Sequence, residues 1–365
     1  MGILDSYKLC STLIDKAAST TKQVHCEKRN TCNVYIDGLS VWFLGYTNSS
    51  PDSANAYQKL IDILDYIRSK DYLDINSVTM YFNGKYPALK GKPISEHVQS
   101  WEVQDWSEEL RDDGIVDDVE FLNVGEAEFE CFFERDKRFA SVIVTNDSNI
   151  LPICYKYNRK TCNDTVFCYL THRETFYDTN LLTTKLNKSA FTLLLFLRGS
   201  EDFIESLFSF SMVNLIFELL EKNDPFYNQH FKHINSIMRQ VTEDSIKKSI
   251  VYFIWIIIHA KKSSVGNFRW PPADTIMEVN NYPQVMEWVI LYSKRGKDVD
   301  NYNINFKNCD YDLDCYCKFH YILSLCKKFF PCSESSDYPC LCSAEKFKNI
   351  EHTMENISSD KLLAI

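Results

Sequence analysis

Acidic and amide side chains occur at two points of the stretch 123–151, where a helix is predicted to begin and a strand to end. Glu126 and Glu128 open the predicted helix, and Asp147 and Asn149 follow a short β-rich run. In open α/β sheets, ligands collect outside the carboxyl ends of the strands, so oxygens from both points could converge on a hard cation such as Mg²⁺. A capped helix followed by a polar turn also fits, because acidic residues are common in a first helical turn.

Another carboxylate follows an earlier predicted strand. Asp37 ends the apolar run that starts at Asn33, residues 53–70 carry the spacing of an amphipathic helix, and residues 78–82 form a second buried run. A strand, a helix and a strand in this order predict a parallel pair, whose carboxyl ends share one edge of a sheet. The sequence therefore predicts that carboxylates from separate segments meet at that edge.

Three lysines follow the second predicted strand, at Lys85, Lys90 and Lys92. A cluster of this kind could steer phosphate groups to the same edge of the sheet. A solvated turn explains the cluster equally well, because Gly84 and Pro93 are residues typical of turns. Position alone leaves both interpretations open.

Composition sets the broad class of the chain. Its 365 residues are 45% apolar and 14% aromatic, enough for one main α/β domain with helical additions. The net charge of -10 and the pI of about 5.4 argue against a generally basic nucleic-acid binder. An enzyme needs only a local basic path to hold phosphates, so the global charge does not exclude one.

The sequence predicts an intracellular protein of the nucleus or cytoplasm. It has no secretion signal at its start, and its longest apolar run, 250–258, is too short for a transmembrane segment. We expect its fourteen cysteines to be reduced thiols. Half of them lie in the tail, where they could bind zinc or could simply be buried. The tail contains no Cys-x2-Cys pair, which argues against a zinc site.

Six motifs occur in the order found in the flap endonuclease and XPG family of structure-specific nucleases. Over roughly residues 1–220 the chain resembles that family, and the ordered set is more specific than any single motif. The motifs lie at 1–3, 35–37, 81–90, 125–128, 145–149 and 197–206.

The resemblance implies an α/β fold of the PIN-like, flap-endonuclease type: a mostly parallel sheet flanked by helices. Apolar helical patterns farther along the chain, where the resemblance ends, predict a helical C-terminal extension. We expect four parts. These are the N-terminal part of the nuclease domain at 1–95, a shortened arch at 96–118, an internal part with a degenerate helix-turn-helix at 119–235, and a Cys-rich extension at 236–365.

The resemblance also implies roles for individual residues. One or two Mg²⁺ or Mn²⁺ ions would be bound by Asp37, Glu126, Glu128, Asp147 and Asp202, with amide oxygens from Asn83 and Asn149. Lys90 would contact the scissile phosphate and act in catalysis together with Asp37, Glu126, Glu128 and Asp147. Nucleic acid would be contacted by Gly2, Phe43, Lys85, Lys90, Lys92 and His97.

Several positions depart from the family pattern. Asn83 and Asn149 stand where the family has aspartate, and each removes a negative charge, which threatens a second ion first. His97 replaces an arginine. At 209–211, Ser-Phe-Ser replaces a glycine-rich turn that grips duplex backbone, and the arch segment 101–113 is acidic rather than basic; it is most simply a solvated amphipathic helix.

Three functions follow as hypotheses. The first is a Mg²⁺-dependent nuclease of the flap endonuclease type that cleaves branched or single-stranded DNA in replication, repair or recombination. The second is an inactive family member that acts as a scaffold for nucleic acid or protein, with a protein partner bound through the C-terminal extension. The third is an RNA endonuclease. Divergence within intact motifs suggests a fast-evolving lineage such as a large DNA virus.

Overall fold

The structure, a computed structural model, describes most of the first two thirds of the chain. The described residues are 5–20, 30–46, 52–84, 101–122, 126–157, 165–199, 208–242, 245–246, 248–250, 252–253 and 256. They fall into two compact units. Residues Ser6–Thr183 supply the first unit, and the described residues from Thr184 onward supply the second together with Asp5. The predicted domain boundaries stay predictions.

A six-stranded sheet forms the centre of the first unit, with the described strands in the order β3-β2-β1-β4-β5-β6. All neighbouring pairs are parallel except β5 with β6, which is antiparallel. This sheet confirms the predicted α/β class with a mostly parallel sheet. The strands are β1 (Asn30–Asp37), β2 (Leu73–Phe82), β3 (Asp118–Phe121), β4 (Ala140–Thr145), β5 (Val166–Leu170) and β6 (Thr175–Asp178).

Helices flank this sheet, and a further group forms the second unit. The helices of the first unit are α1 (Ser6–Thr20), α2 (Gly38–Trp42), α3 (Ser53–Arg68), α4 (Trp101–Asp112), α5 (Ala127–Phe133) and α6 (Ile150–Tyr157). Those of the second unit are α7 (Lys188–Leu197), α8 (Phe210–Glu221) and α9 (Pro225–Ile237). Short 3₁₀ turns occur at Phe43–Gly45, Thr171–Arg173 and Thr179–Leu181.

One continuous apolar core lies between the sheet and helices α2, α3 and α4. Helix α3 contributes Leu60, Leu64 and Ile67, which repeat at helical spacing and are fully buried. Helix α4 contributes Val103, Trp106 and Leu110 in the same way. The predicted amphipathic helix at 101–113 is therefore confirmed, and its apolar face belongs to the core of the first unit.

Helix α5 packs against β1, β2 and β4, and its residues lie outside that apolar core. Neighbouring side chains of a strand point to opposite faces, so Ile36 lies in the apolar core while Asp37 points the other way. This alternation directs the last side chain of β1 toward the side of the sheet on which α5 packs.

Polar contacts join the three helices of the second unit. Asn187 caps α7 by accepting a hydrogen bond from the Ala190 N–H at 2.8 Å, and its own N–H donates to the Asn235 side chain of α9 at 2.8 Å. Lys185 Nζ donates to the Leu220 carbonyl of α8 at 2.6 Å. Ser209 caps α8 with φ at -66°, so glycine's freedom is not required at this position. The helix-turn-helix assignment stays a prediction.

The connections of the sheet change direction between β1 and β4. From β1 the chain passes to β2 and β3 on one side, whereas β4 is the neighbour of β1 on the other side and leads to β5. Ligands of open α/β sheets bind at such a switch point, outside the carboxyl ends of the strands. Asp37 stands at the end of β1, and Asp147 lies two residues beyond the end of β4.

Five cysteines are described, and all of them are buried free thiols: Cys10, Cys32, Cys131, Cys154 and Cys168. The cysteines of the tail lie outside the described residues, as do most of the predicted helices beyond residue 242. No helix in the described part of the chain is long and apolar enough to cross a membrane.

Replacing Gly38 with alanine should destabilise the protein, although alanine favours a helix by about 1 kcal/mol over glycine. A Cβ atom at Gly38 would lie under 3.0 Å from three ring carbons of Phe82, which is fully buried. Overpacking of this kind costs roughly 1–3 kcal/mol, so we expect a net loss in the free energy of unfolding measured with urea.

Phe82→Leu supplies the second arm of a double-mutant cycle. The two losses should be less than additive, because leucine at Phe82 vacates the space that the new methyl group needs. Additive losses, or a Gly38→Ala variant as stable as the parent protein, would contradict the packing described for this turn.

Candidate functional site at the β1 and β4 strand ends

The carboxylate of Asp37 is an enclosed acidic group at the switch point. Its residue is 5% exposed and lies at the N-cap of α2, where the backbone N–H of Ser40 donates to Oδ1 at 3.4 Å. The Ser40 hydroxyl donates to Oδ2, and Thr145 Oγ1 donates to the same oxygen at 3.0 Å. The end of β1 is thus bonded directly to the end of β4.

The two hydroxyls continue these bonds into the loop that follows β4. Ser40 Oγ accepts a hydrogen bond from the Asn146 N–H at 2.7 Å, and Thr145 Oγ1 accepts one from the Asp147 N–H at 3.0 Å. Each hydroxyl therefore donates to Asp37 and accepts from the backbone. This network fixes the loop carrying Asp147 relative to Asp37.

Burial raises the pKa of the Asp37 carboxyl above its usual value, while hydrogen bonds from Ser40 and Thr145 oppose that rise. In the described part of the chain, no lysine, arginine or histidine forms an ion pair with Asp37. Buried carboxylates are ordinarily paired or bound to a metal ion. Burial therefore makes ionisation of Asp37 costly.

Glu126 and Glu128 lie at the start of α5, as predicted, and both are buried. Glu126 is the N-cap residue, and the positive end of the helix dipole favours acidic groups there. Negative charge on Asp37, Glu128 and Glu130 adds to the effect of burial in raising the pKa of the Cys131 thiol. Cys131 therefore lies near carboxylates from both β1 and α5.

Asn83 follows β2 and caps the same helix. Its Oδ1 accepts a hydrogen bond of 2.6 Å from the backbone N–H of Ala127, the first residue of α5. This bond satisfies a helix N–H that has no partner within the helix. The side chain thereby joins the end of β2 to the start of the helix carrying Glu128.

Asp147 and Asn149 form a tight turn after β4. The Asn149 N–H donates to Asp147 Oδ1 at 2.8 Å, in the manner of an Asx turn. Asn149 is buried, whereas Asp147 is half-buried. The turn begins directly after the Thr145 hydroxyl that bonds to Asp37, so Asp37 and Asp147 lie at the same end of the sheet, as predicted.

Two further residues belong to segments next to the site: Phe43, which follows α2, and Ser6, which begins α1. Phe43 is 47% exposed and has its ring tilted against Tyr46, with the ring centroids 5.2 Å apart. An exposed ring suits the predicted stacking on a base, which stays a prediction. At the start of α1, Ser6 Oγ donates to Ser148 Oγ at 3.0 Å, so the beginning of this helix lies next to the Asp147 loop.

The remaining predicted residues lie outside the described part of the chain: Gly2, Lys85, Lys90, Lys92, His97 and Asp202. Within the described residues, no three His, Cys, Asp or Glu side chains are grouped closely enough to hold a metal ion. The roles assigned to the site residues from the resemblance stay predictions.

Ser40 and Thr145 are the residues that sequence reasoning missed. Ser40 follows Asp37 at the spacing of an N-cap contact, which was a usable local signal. No local signal relates Thr145 to Asp37, because 108 positions separate them and their contact depends on β1 pairing with β4.

The chain matches known proteins among solved structures only. No protein-family model matches the chain, and no curated protein matches it. The catalytic core of Rad2 in complex with a DNA substrate aligns with 14% identity over 83% of this chain and 99% of its own, at a TM-score of 0.37. A second Rad2 complex with a DNA substrate aligns with 16% identity over 79% and 96%, also at 0.37.

A flap endonuclease from bacteriophage T5, in a pseudo-enzyme-product complex with DNA and metal ions, aligns with 8% identity. This alignment covers 72% of this chain and 99% of the other, at a TM-score of 0.34. At TM-scores of this size the alignments carry no argument, and the α/β class of the chain rests on its own sheet.

Thr145→Val should destabilise the protein by about 1–3 kcal/mol. It removes a hydrogen-bond donor to Asp37 and leaves the Asp147 N–H without its acceptor. Thr145→Ser keeps the hydroxyl and should retain most of the unfolding free energy. Urea unfolding of both variants tests this; a larger loss in Thr145→Ser than in Thr145→Val would mean that the methyl group, rather than the hydrogen bonds, stabilises the site.

The stability of Asp37→Asn relative to the parent protein should depend on pH. Because the folded protein raises the pKa of Asp37, the contribution of this group is full below its unfolded pKa and is lost as pH rises through the folded value. In EDTA, the variant should therefore gain stability relative to the parent protein as pH rises from about 4 to about 8.

The measurement is the difference in unfolding free energy between the two proteins at each pH, so that other carboxylates cancel. A saturating divalent cation should reduce or reverse the trend, because it compensates the ionised group. A difference that stays constant across the range would contradict the burial argument.

Proposed function

We propose that this protein is a divalent-metal-dependent nuclease of the flap endonuclease type that hydrolyses phosphodiester bonds in branched or single-stranded DNA. The observation that supports it most strongly is the buried Asp37 carboxylate at the β1 and β4 switch point, which the Thr145 hydroxyl links to the loop that contains Asp147. The order of the six sequence motifs adds independent support.

The donor set fits a hard divalent cation such as Mg²⁺ or Mn²⁺. It consists of oxygens, and in this proposal the carboxylates of β1, α5 and the β4 exit would together supply the negative charge that such an ion requires. The residues that would hold one or two ions are Asp37, Glu126, Glu128, Asp147, Asn149, Asn83 and Asp202. When bound, such ions stabilise charge on a scissile phosphate and lower the pKa of water.

The residues of the chain would prepare this chemistry in distinct ways. Hydrogen bonds from Ser40 and Thr145 fix the orientation of the Asp37 carboxylate before substrate binds. Lys90 would bind the scissile phosphate and stabilise the charge that builds up there. Phe43, with its exposed ring, would stack on a base next to the cleavage site.

A second candidate function, an inactive scaffold for nucleic acid, is favoured by the position of Asn83. Its Oδ1 is engaged with the Ala127 N–H, so this side chain has a structural use that explains its presence without metal. Both candidate functions predict DNA binding, and they differ only in turnover.

A nuclease assay separates the two functions directly. Purified protein is incubated with flap, nicked and single-stranded DNA and with RNA, in Mg²⁺, in Mn²⁺ and in EDTA. We expect cleavage of DNA that requires a divalent cation and is abolished in Asp37→Asn. DNA binding without cleavage in any metal would favour the scaffold, and cleavage of RNA alone would favour the RNA endonuclease.

Restoring two acids should raise the cleavage rate. In the double variant Asn83→Asp plus Asn149→Asp, the new carboxylate at position 83 can still accept the bond from the Ala127 N–H while adding charge for a second ion. The parent protein should be more active in Mn²⁺ than in Mg²⁺, and the double variant should narrow that difference. No cleavage by a folded double variant would favour the scaffold.

Lys90→Ala should lower the single-turnover rate much more than it weakens DNA binding. A lysine beside the scissile phosphate stabilises the transition state most, because negative charge builds up on the phosphate there. Lys92→Ala is the matched control, since it removes one phosphate contact and should reduce the salt-dependence slope by about one unit at most. An unchanged rate in Lys90→Ala would show that the phosphate binds elsewhere.

A further inference from the structure

A cavity of about 270 Å³ opens beside helix α4, and its lining is part aromatic and part polar. Three tryptophans line it: Trp42 of α2, and Trp101 and Trp106 of α4. Trp42 and Trp106 are buried with their ring centroids 5.3 Å apart and tilted by 52°, so they form a fixed wall. Trp101 is 69% exposed and lies at the first position of the helix.

Acidic side chains surround the same cavity. Glu102, Asp105 and Glu109 line it, and no lysine or arginine is among the described residues that do so. Asp105 follows Trp101 by four positions, and Glu109 follows Asp105 by four, so all three share one face of α4. The charges on this face are therefore uncompensated within the cavity lining.

Helix α4 as a whole carries the same sign of charge. Its sequence contains five acidic residues and one arginine, and that arginine lies 4.0 Å from Asp112, outside the cavity lining. A solvated helix face can be acidic without function. The feature that separates this face from an ordinary one is that its carboxylates border a tryptophan-walled cavity.

Trp106 adds an observation of a different kind. It is 1% exposed, and its indole Nε1 is buried without a hydrogen-bond partner among the described residues. A buried donor of this kind costs about 1–3 kcal/mol, which is unusual in a native core.

We propose that this cavity binds the side chain of a lysine residue in a basic segment of a partner protein. Tryptophan faces attract cations through their electron-rich rings, most strongly when water is excluded. Glu102, Asp105 and Glu109 supply the compensating negative charge at the rim. The volume is below the ~300–1,000 Å³ typical of small-molecule sites, so it suits one side chain of a longer chain.

The charge of the cavity distinguishes this occupant from nucleic acid. Three carboxylates at the rim repel phosphates, whereas they attract a chain rich in lysine. The site uses no residue of the proposed nuclease centre. It extends the proposed function by adding a protein partner, and it stands or falls separately from metal-dependent cleavage.

The probe is a fluorescein-labelled peptide of four Gly-Lys repeats, and a peptide of four Gly-Gln repeats is its uncharged counterpart. Fluorescence anisotropy at fixed ionic strength measures the Kd of each peptide for the full chain. We expect the lysine peptide to bind and the glutamine peptide not to bind. Trp101→Ala should weaken binding about five-fold, and Trp101→Phe should recover part of the loss.

Matched charge variants on α4 separate the cavity from general electrostatic attraction. Asp105→Asn and Glu109→Gln should each weaken binding, whereas Glu108→Gln, an exposed acid outside the cavity lining, should have a smaller effect. Unfolding curves verify that each variant remains folded. Equal effects of all three charge variants, with no effect of Trp101→Ala, would overturn the proposal.

A labelled oligothymidylate tests the competing occupant in the same assay. If it binds the parent protein and loses affinity in Trp101→Ala while the lysine peptide does not, the cavity is a base-stacking site and the proposal is wrong. Cleavage of flap DNA by the same variants keeps the two proposals apart, because an inactive parent protein that binds the lysine peptide contradicts only the nuclease assignment.

Discussion

The carboxylate of Asp37 is buried at the point of the described sheet where successive strands begin to be added on the other side of β1. Removing a carboxylate from water is costly unless its oxygens are hydrogen-bonded, and here two hydroxyls and a backbone N–H take that role. Because Ser40 and Thr145 also accept backbone bonds from the loop after β4, the same network that stabilises Asp37 holds Asp147 in place. The site and the pairing of β1 with β4 therefore depend on one set of bonds.

The β1 and β4 strand ends and the tryptophan-lined cavity share a single core. Gly38, the residue after Asp37, lies against the ring of Phe82; Phe82 in turn packs edge-on against Trp106 with the centroids 6.3 Å apart. Trp106 and Trp42 then form the wall of the cavity. Side chains in a close-packed core transmit displacement. A substitution in this core would therefore shift residues both at the β1 strand end and in the cavity wall. The two sites are thus separate in chemistry but joined by the residues that position them.

Local patterns in the sequence are sufficient to predict the strands ending at Asp37 and before Asp147, the amphipathic helix α3, and the parallel pairing of β1 with β2. These predictions depend on periodicity and on the order of elements, which neighbouring residues determine. The bond from Thr145 to Asp37 and the capping of α5 by Asn83 cannot be predicted in that way, since each joins segments far apart in the chain. In the sequence Asn83 stands out as a lost charge, whereas in the structure its oxygen also stabilises the helix that carries Glu128.

We propose that the carboxylates at the β1 and β4 strand ends bind divalent cations, and a titration with Mn²⁺ measures this binding. Electron paramagnetic resonance counts free Mn²⁺ during a titration of the protein, with Asp37→Asn as the variant because an amide can still accept the bonds from Ser40 and Thr145. We predict saturable binding of one or two ions that Mg²⁺ displaces and that Asp37→Asn weakens at least ten-fold. Absence of saturable binding, or binding that Asp37→Asn leaves unchanged, would contradict a cation site at these strand ends.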